Sequence, residues 1–133
     1  MLSTNQAVDF VNQHKKVAIV GLSPNEERAS YRVGNFLKER GFDIIPVNPG
    51  LHEEIIGLKN RRSLENIAEG EVEWIDVFLN PGRLMGIIDE VIRIKPKMVW
   101  CQIGVINEEF NKRLEAAGID YITDVCPKIE LVK

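Results

Sequence analysis

The sequence predicts an α/β protein of three layers, a five-stranded parallel sheet in the order 2-1-3-4-5 with helices on both faces. Two observations lead to this prediction. Short apolar runs alternate with helical patterns along the chain, which gives parallel strands joined by right-handed crossovers. The runs are also continuous in apolar residues rather than alternating, as is typical of strands that helices cover on both faces.

Five apolar runs are the predicted strands, and each is rich in β-branched or aromatic residues. They are Val17–Val20, Ile44–Val47, Trp74–Leu79, Met98–Ile103 and Tyr121–Thr123. In the order 2-1-3-4-5 the first strand lies beside the place where strand order reverses. Open sheets of this kind bind ligands at that point, outside the carboxyl ends of the strands.

Four helices are predicted between the strands from their capping residues and apolar stripes. An opening helix covers Thr4–Gln13; Ser30 caps a second that stops at Gly41; Asn80 caps a third with Pro81 at its first position; Asn107 caps a fourth that Gly118 closes. Residues 51–70 are the least regular stretch, and we expect a short helix there followed by a surface loop, with Ser63 capping a turn.

Composition narrows the class of protein. The 133 residues are enough for one domain, 1–133, and the formal net charge is −3. This mild acidity argues against nucleic-acid binding, which needs a concentrated basic surface. No segment has the pattern of a signal peptide or a membrane span. Two cysteines are too few for a disulfide framework. A soluble cytoplasmic protein is therefore expected.

The loop after the first strand carries the strongest indication of a ligand. Gly21 matches the first glycine of the dinucleotide-binding fingerprint, but the second and third glycines are missing. The loop instead leads into a helix whose first amides and positive dipole end favour an anion. Arg28 and Ser30 add a guanidinium and a hydroxyl suited to a pyrophosphate. An ordinary polar connection is the alternative, and Glu26 and Glu27 count against a site unless they face solvent.

The end of the second strand separates two classes of nucleotide. An NAD-binding protein has Asp or Glu there to bind the ribose hydroxyls. This chain has Pro46-Val47-Asn48-Pro49, without a carboxylate. Stiff backbone and the Asn48 amide suit an adenine or ribose with a phosphate nearby, so NAD is disfavoured.

These segments together resemble the stand-alone CoA-binding protein family, which is related to the CoA-binding domain of the succinyl-CoA synthetase alpha subunit. The resemblance spans nearly the whole chain in order. It is carried by residues 17–24 (VAIVGLSP), 28–33 (RASYRV), 45–49 (IPVNP), 75–78 (IDVF), 99–105 (VWCQIGV) and 124–130 (DVCPKIE).

The resemblance implies a Rossmann-like domain that binds coenzyme A across the carboxyl edge of the sheet. The residues that it implies as ligand contacts are Gly21, Leu22 and Ser23 for the nucleotide, Arg28, Ser30 and Tyr31 for the phosphates, Val47 and Asn48 for the adenosine, and Phe78, Asn80, Gln102 and Gly104 around the rest of the cleft. Two departures matter. Asn80 stands where the family often has a basic residue, a role that Arg83 could take, and Arg61-Arg62 replaces a tyrosine-proline pair.

The remaining candidates are mostly structural. Trp100 and Phe78 are expected in the core, and Cys101 as a buried apolar side chain. Cys126 precedes Pro127 in a late loop, and we hypothesise that it forms a mixed disulfide with the CoA thiol, with a purely structural thiol as the alternative. No metal site is predicted, because His14 and His52 have no partner at ligand spacing.

The leading hypothesis is a non-catalytic module that binds CoA or a short acyl-CoA for sensing or transfer to another protein, since no catalytic constellation is visible. One alternative is a small NAD(P)-binding oxidoreductase or redox sensor on the same fold. Another is a protein-interaction subunit with a vestigial cleft. A homodimer or an unidentified protein partner stays open.

Overall fold

A computed structural model describes residues 1–133 and contains the predicted five-stranded parallel sheet. The strands are β1 (Lys16–Val20), β2 (Asp43–Val47), β3 (Glu54–Ile55), β4 (Leu58–Lys59), β5 (Trp74–Val77), β6 (Met98–Cys101) and β7 (Asp120–Ile122). The main sheet runs β2-β1-β5-β6-β7, and every pair in it is parallel. Counted within this sheet, the order is the predicted 2-1-3-4-5.

Five helices cover the two faces of the sheet. They are α1 (Thr4–Gln13), α2 (Ala29–Glu39), α3 (Ile88–Ile94), α4 (Glu108–Ala116) and α5 (Pro127–Leu131). We call the side covered by α1, α2 and α5 the α2 face, and the side covered by α3 and α4 the α3 face. None of the five helices combines the length and apolar character that crossing a membrane requires.

Each face of the sheet has its own apolar core. On β1, Val17 and Ile19 pack on the α2 face, and Ala18 and Val20 pack on the α3 face. This alternation on a strand of small and β-branched residues is what a sheet covered on both faces requires. Trp100 is fully buried on the α2 face, as expected, and its indole N–H donates to the carbonyl oxygen of Val125 at 2.8 Å.

The capping predictions hold at three sites and fail at one. Asn107 accepts a hydrogen bond from the Phe110 amide at the start of α4, Asn80 accepts from Gly82, and Ser63 accepts from Glu65. The prediction that Ser30 caps α2 is wrong. Arg28 is the capping residue and makes no side-chain capping bond, while Ser30 is the second residue of the helix and is buried.

Four other predicted elements differ from the structure, and one helix was missed. The third helix is divided into a 3₁₀ turn over Pro81–Gly86 and α3, so Pro81 begins the turn rather than an α-helix. Residues 51–70 contain the antiparallel β3–β4 hairpin and a 3₁₀ turn, not a short helix. Helix α5 was not predicted. The strands β5 and β6 also end at Val77 and Cys101, two residues earlier than expected.

Gly21 makes the sharp turn at the end of β1 possible. Its backbone has φ +84°, and an added Cβ would lie 2.2 Å from the carbonyl oxygen of Phe78. The chain is held there from both sides, since the Gly21 amide donates to Val47 and the Phe78 amide donates to Val20, both at 2.9 Å. Only glycine fits this close approach of three strand ends.

Replacing Gly21 with alanine is expected to destabilise the protein more than the same change at Gly118. Gly118 has a similar φ of +74° but no atom within 4 Å of an added Cβ. Gly118→Ala therefore costs only the left-handed backbone strain, about 1–2 kcal/mol. Gly21→Ala adds an overlap with backbone that cannot move freely, worth roughly 1–3 kcal/mol more. Urea unfolding of both variants measures the difference, and equal losses would show that the strand ends can separate.

Candidate functional site

A cavity of about 1150 Å³ opens at the carboxyl edge of the main sheet. This is larger than the roughly 300–1,000 Å³ that is usual for small-molecule sites. Its walls come from the loops after the five parallel strands and from residues 62–65, 82–90 and 126–129. It thus lies at the switch point beside β1, where the topology predicts a ligand site.

The N-terminus of α2 forms one wall of this cavity. Arg28, Ala29 and Ser30 line it, and the first intrahelical hydrogen bond runs from Arg32 N to Arg28 O. The amides of Ala29, Ser30 and Tyr31 make no hydrogen bond within the chain. Unpaired amides and the positive end of an eleven-residue helix attract an anion, and the guanidinium of Arg28 adds a full charge.

The loop from Gly21 to Arg28 is held by its own polar side chains. Ser30 Oγ accepts from the Ser23 amide at 3.0 Å, Ser23 Oγ accepts from the Asn25 amide, and Asn25 Oδ1 accepts from the Glu27 amide. Glu26 and Glu27 are exposed and lie outside the cavity lining. The two carboxylates that could have opposed an anion therefore face solvent.

Asn48 fixes the loop after β2 against the loop after β1. Its Nδ2 donates to the Leu22 carbonyl at 3.0 Å, and its Oδ1 accepts from the Gly50 amide at 2.8 Å. Nearby, Arg62 donates through Nε and Nη2 to the carbonyl oxygen of Pro49. Asn48 and Arg62 both line the cavity, so this wall is rigid and carries a second guanidinium.

Eight of the twelve candidate site residues line the cavity, namely Gly21, Ser23, Arg28, Ser30, Val47, Asn48, Phe78 and Gln102. The structure places the other four elsewhere. Leu22 is buried against Gly34, and Tyr31 is half-buried beside the site. Asn80 is exposed and caps the 3₁₀ turn, and Gly104 is exposed with its amide donating to Asp124. Whether each of the twelve contacts a ligand stays a prediction.

Several cavity residues carried no assigned role in the sequence interpretation. Arg62, Glu65, Glu90, Ile103 and Ile129 belong to this group, and Arg83 was named only as a substitute for Asn80. Arg61 does not share the role of Arg62, because its guanidinium pairs with Glu71, whose pKa it lowers to about 2. The cavity therefore has three arginines, 28, 62 and 83, against two glutamates.

A buried carboxyl lies beneath the cavity at the centre of the sheet. Asp76 on β5 is fully buried, and its Oδ1 accepts a hydrogen bond from Gln102 Nε2, while its Oδ2 has no partner. Burial raises the pKa of Asp76 to about 8, against the opposing effect of the Gln102 and Val77 hydrogen bonds. Burial, together with the charge of Asp76, also raises the pKa of Cys101 to about 12.

The two cysteines differ in access to the cavity. Cys101 is buried in the core, as expected, and Cys126 is half-buried and lines the cavity as a free thiol. Phe78 is half-buried and also lines the cavity, so it belongs to the wall as well as to the core. No three His, Cys, Asp or Glu side chains cluster closely enough to hold a metal ion.

Comparison with known proteins gives a consistent result. Residues 15–132 match the family model of the CoA binding domain. The uncharacterized protein YneT of Bacillus subtilis (strain 168) is 33% identical over 121 residues, which cover 91% of this chain and 88% of YneT. The structure of cell-free ID.343 from Thermus thermophilus has a TM-score of 0.90 and 32% identity over 97% of this chain and 96% of its own. A hypothetical protein from Pyrococcus horikoshii OT3 has a TM-score of 0.89 and 32% identity over 97% and 89%.

The raised pKa of Asp76 makes a signed prediction for stability. The unfolded state loses this proton near the usual pKa of about 4, and the folded state keeps it until about 8. Between these values the folded state holds one more proton, so raising the pH favours unfolding by about 1.4 kcal/mol per pH unit. Above pH 8 this contribution levels off.

Urea unfolding of the wild type and of Asp76→Asn from pH 5 to 9 isolates this effect, because every other group titrates in both proteins. The free energy of unfolding of the wild type should fall relative to the variant up to about pH 8 and then run parallel to it. A constant difference across the series would mean that Asp76 ionises at an ordinary pKa.

Proposed function

The chain belongs to the family of CoA binding domains, and on that basis we propose that it binds CoA or a short acyl-CoA in the cavity at the carboxyl edge of the sheet, as a non-catalytic module that senses or carries its ligand. Membership in the family implies CoA or a related nucleotide-containing ligand. The observation that supports this ligand best is the uncapped N-terminus of α2, which opens onto the cavity beside Arg28.

The polar end of the cavity suits a diphosphate. Three unpaired amides, the Ser30 hydroxyl and the Arg28 guanidinium meet at the start of α2. A hydrogen bond to a charged group is worth more than one between neutral groups, and a guanidinium can bind two phosphate oxygens at once. Ser30 already accepts from the Ser23 amide, so its hydroxyl proton is free to be donated to a ligand.

The part of the cavity wall formed after β6 and at the start of α5 is more apolar and suits the pantetheine arm. Ile103 and Val105 line it from the loop after β6, and Cys126 and Ile129 line it from the start of α5. Ile103 and Ile129 are 61% and 48% exposed, so a ligand there would cover apolar surface. Neighbouring strands lie about 4.8 Å apart, so the edge from β2 to β7 spans roughly 19 Å. This length accommodates an extended ligand with phosphates at one end and a thiol at the other.

We expect CoA to stabilise the folded protein and Arg28→Ala to weaken its binding. A ligand at 100 times its Kd adds about 2.7 kcal/mol to the free energy of unfolding, which thermal shift detects readily. Losing a charged hydrogen bond costs roughly 1.5–3 kcal/mol, so Kd should rise about ten-fold or more. Arg40→Ala is the matched control, because Arg40 lies at the other end of α2 and stacks on Phe36 outside the cavity.

The same measurement with a panel of ligands separates this function from its alternatives. Stabilisation by CoA and acetyl-CoA, but not by NAD or NADP, supports the proposal. Stabilisation by NAD or NADP alone would indicate the oxidoreductase or redox sensor, and no response to any of them would indicate a vestigial cleft. Acetyl-CoA should be recovered intact after incubation, since hydrolysis by the wild type would contradict a non-catalytic role.

The position of Cys126 makes the mixed disulfide testable. With CoA disulfide as the reagent, the Cys126 thiolate attacks one sulfur, a protein–CoA disulfide forms, and the second CoA leaves as its thiolate. Intact-mass spectrometry should detect one CoA adduct on the wild type and none on Cys126→Ser, in which the buried Cys101 is retained. An adduct that persists in Cys126→Ser, or no adduct on the wild type, would contradict the hypothesis.

A further inference from the structure

A carboxyl that the proposed function does not use is buried next to the cavity, on the central strand of the sheet. Asp76 stands on the central strand β5, between Ile19 of β1 and Trp100 of β6. It is 0% exposed, and one of its two oxygens, Oδ2, has no hydrogen-bond partner. An unpaired polar atom in a core costs free energy and calls for an explanation.

Gln102 connects this carboxyl to the cavity. Only 5% of Gln102 is exposed, and this residue lines the cavity. Its Nε2 donates to Asp76 Oδ1, and its Oε1 makes no hydrogen bond within the chain and is not sealed in the core. While Nε2 donates to Asp76, the Gln102 oxygen Oε1 is available to accept a hydrogen bond from a group in the cavity.

The proton on Asp76 determines which orientations Gln102 can adopt. A carboxylate only accepts hydrogen bonds, so Gln102 must then direct an N–H at it. A neutral carboxylic acid also has an O–H, which can donate to Gln102 Oε1. In this second arrangement the carboxamide turns over, its Oε1 accepts the proton carried on Oδ2, and its NH₂ group takes the place of the acceptor oxygen on the cavity side.

We propose that Asp76 is a positioning residue whose proton lets Gln102 offer the cavity a hydrogen-bond donor, so that affinity for an anionic, acceptor-rich ligand falls as the pH rises. This inference rests on the proposed function, because CoA is such a ligand. The negative charge of an ionised Asp76 also lowers the affinity as the pH rises. An ionised Asp76 would repel the phosphates that the cavity binds, across an interior in which charges are poorly screened.

The surroundings of Asp76 contain no charge that would compensate for its ionisation. The helices that cover the α2 face bury only non-ionisable residues. These are Ala7 and Val11 of α1, Ser30, Val33, Gly34 and Leu37 of α2, and Pro127 and Leu131 of α5. On the adjacent strand the titratable group is the Cys101 thiol, whose pKa of about 12 keeps it neutral. The half-buried Cys126 thiol packs against the core of the α2 face. The pKa of about 8 for Asp76 therefore follows from burial.

Isothermal titration of CoA between pH 7 and 9 tests the proposal on three proteins. If only the protonated form binds well, the wild-type Kd rises about ten-fold over this range, as linkage to one group with this pKa requires. Asp76→Asn keeps an uncharged side chain with a donor and an acceptor, so its Kd should stay within about two-fold. Titration of CoA itself affects both proteins equally and cancels in their ratio.

Gln102→Met separates the role of the carboxamide from that of charge alone. This variant keeps the length of the side chain but removes both polar groups, and its Kd should change by clearly less than the wild-type ten-fold. A full ten-fold rise in Gln102→Met would overturn the role of Gln102. A wild-type Kd that is constant from pH 7 to 9 would overturn the whole inference while leaving CoA binding intact.

Proton uptake provides a readout that does not depend on any variant folding. At pH 8 about half of the wild-type molecules carry the Asp76 charge, so CoA binding should take up roughly half a proton, measured in buffers of different ionisation enthalpy. No proton uptake would contradict the proposal. If CoA produced no binding heat at any pH, the proposed function itself would fail, and the two failures are thus distinguishable.

Discussion

The open N-terminus of α2 is the constraint on which the site depends. Side chains cap α1 and α4, through Ser3 and Asn107, whereas α2, α3 and α5 begin without a side-chain cap. At α2 the nearest hydroxyl, Ser30, accepts from the Ser23 amide and shapes the loop. A missing cap costs about 1 kcal/mol of helix stability. At α2, an eleven-residue helix, this cost falls on a first turn that lines the cavity, and Gly21 makes the sharp turn that begins the loop leading into it.

Much of the fold follows from local sequence, because buried parallel strands and capped helices are recognisable within a few residues. The errors arise where local signals cannot decide. Ser30 matches a capping residue in type, and only the loop that wraps back to Ser23 shows that it lies inside the helix. The β3–β4 hairpin has strands of two residues, too short for a period to be detected. The Ile55 side chain is buried by packing on the α2 face, which the sequence does not reveal.

The candidate site can be predicted from the sequence to a similar extent. The carboxyl ends of parallel strands share one edge, so residues such as Gly21, Asn48 and Gln102 meet in the cavity as a direct consequence of topology. Side-chain direction is harder to predict from sequence, and Leu22, next to Gly21, turns into the core. Arg62 reaches the cavity because it bonds Pro49 on another segment. That contact depends on the whole fold and has no local signal.

The buried Asp76 shows how the site and the core impose opposite demands. An apolar side chain of similar size would suit this position better, since burying an unpaired carboxyl is costly and replacing buried polar groups with apolar ones is often stabilising. Its neighbours across the sheet, Ile19 and Trp100, are fully buried and apolar. The one side chain that donates a hydrogen bond to it is Gln102, which lines the cavity. A residue that weakens the core and contacts the cavity lining through one side chain is what the positioning role proposed for Asp76 requires. The same Asp76 carboxyl thus lowers the stability of the core and holds Gln102 in place at the cavity.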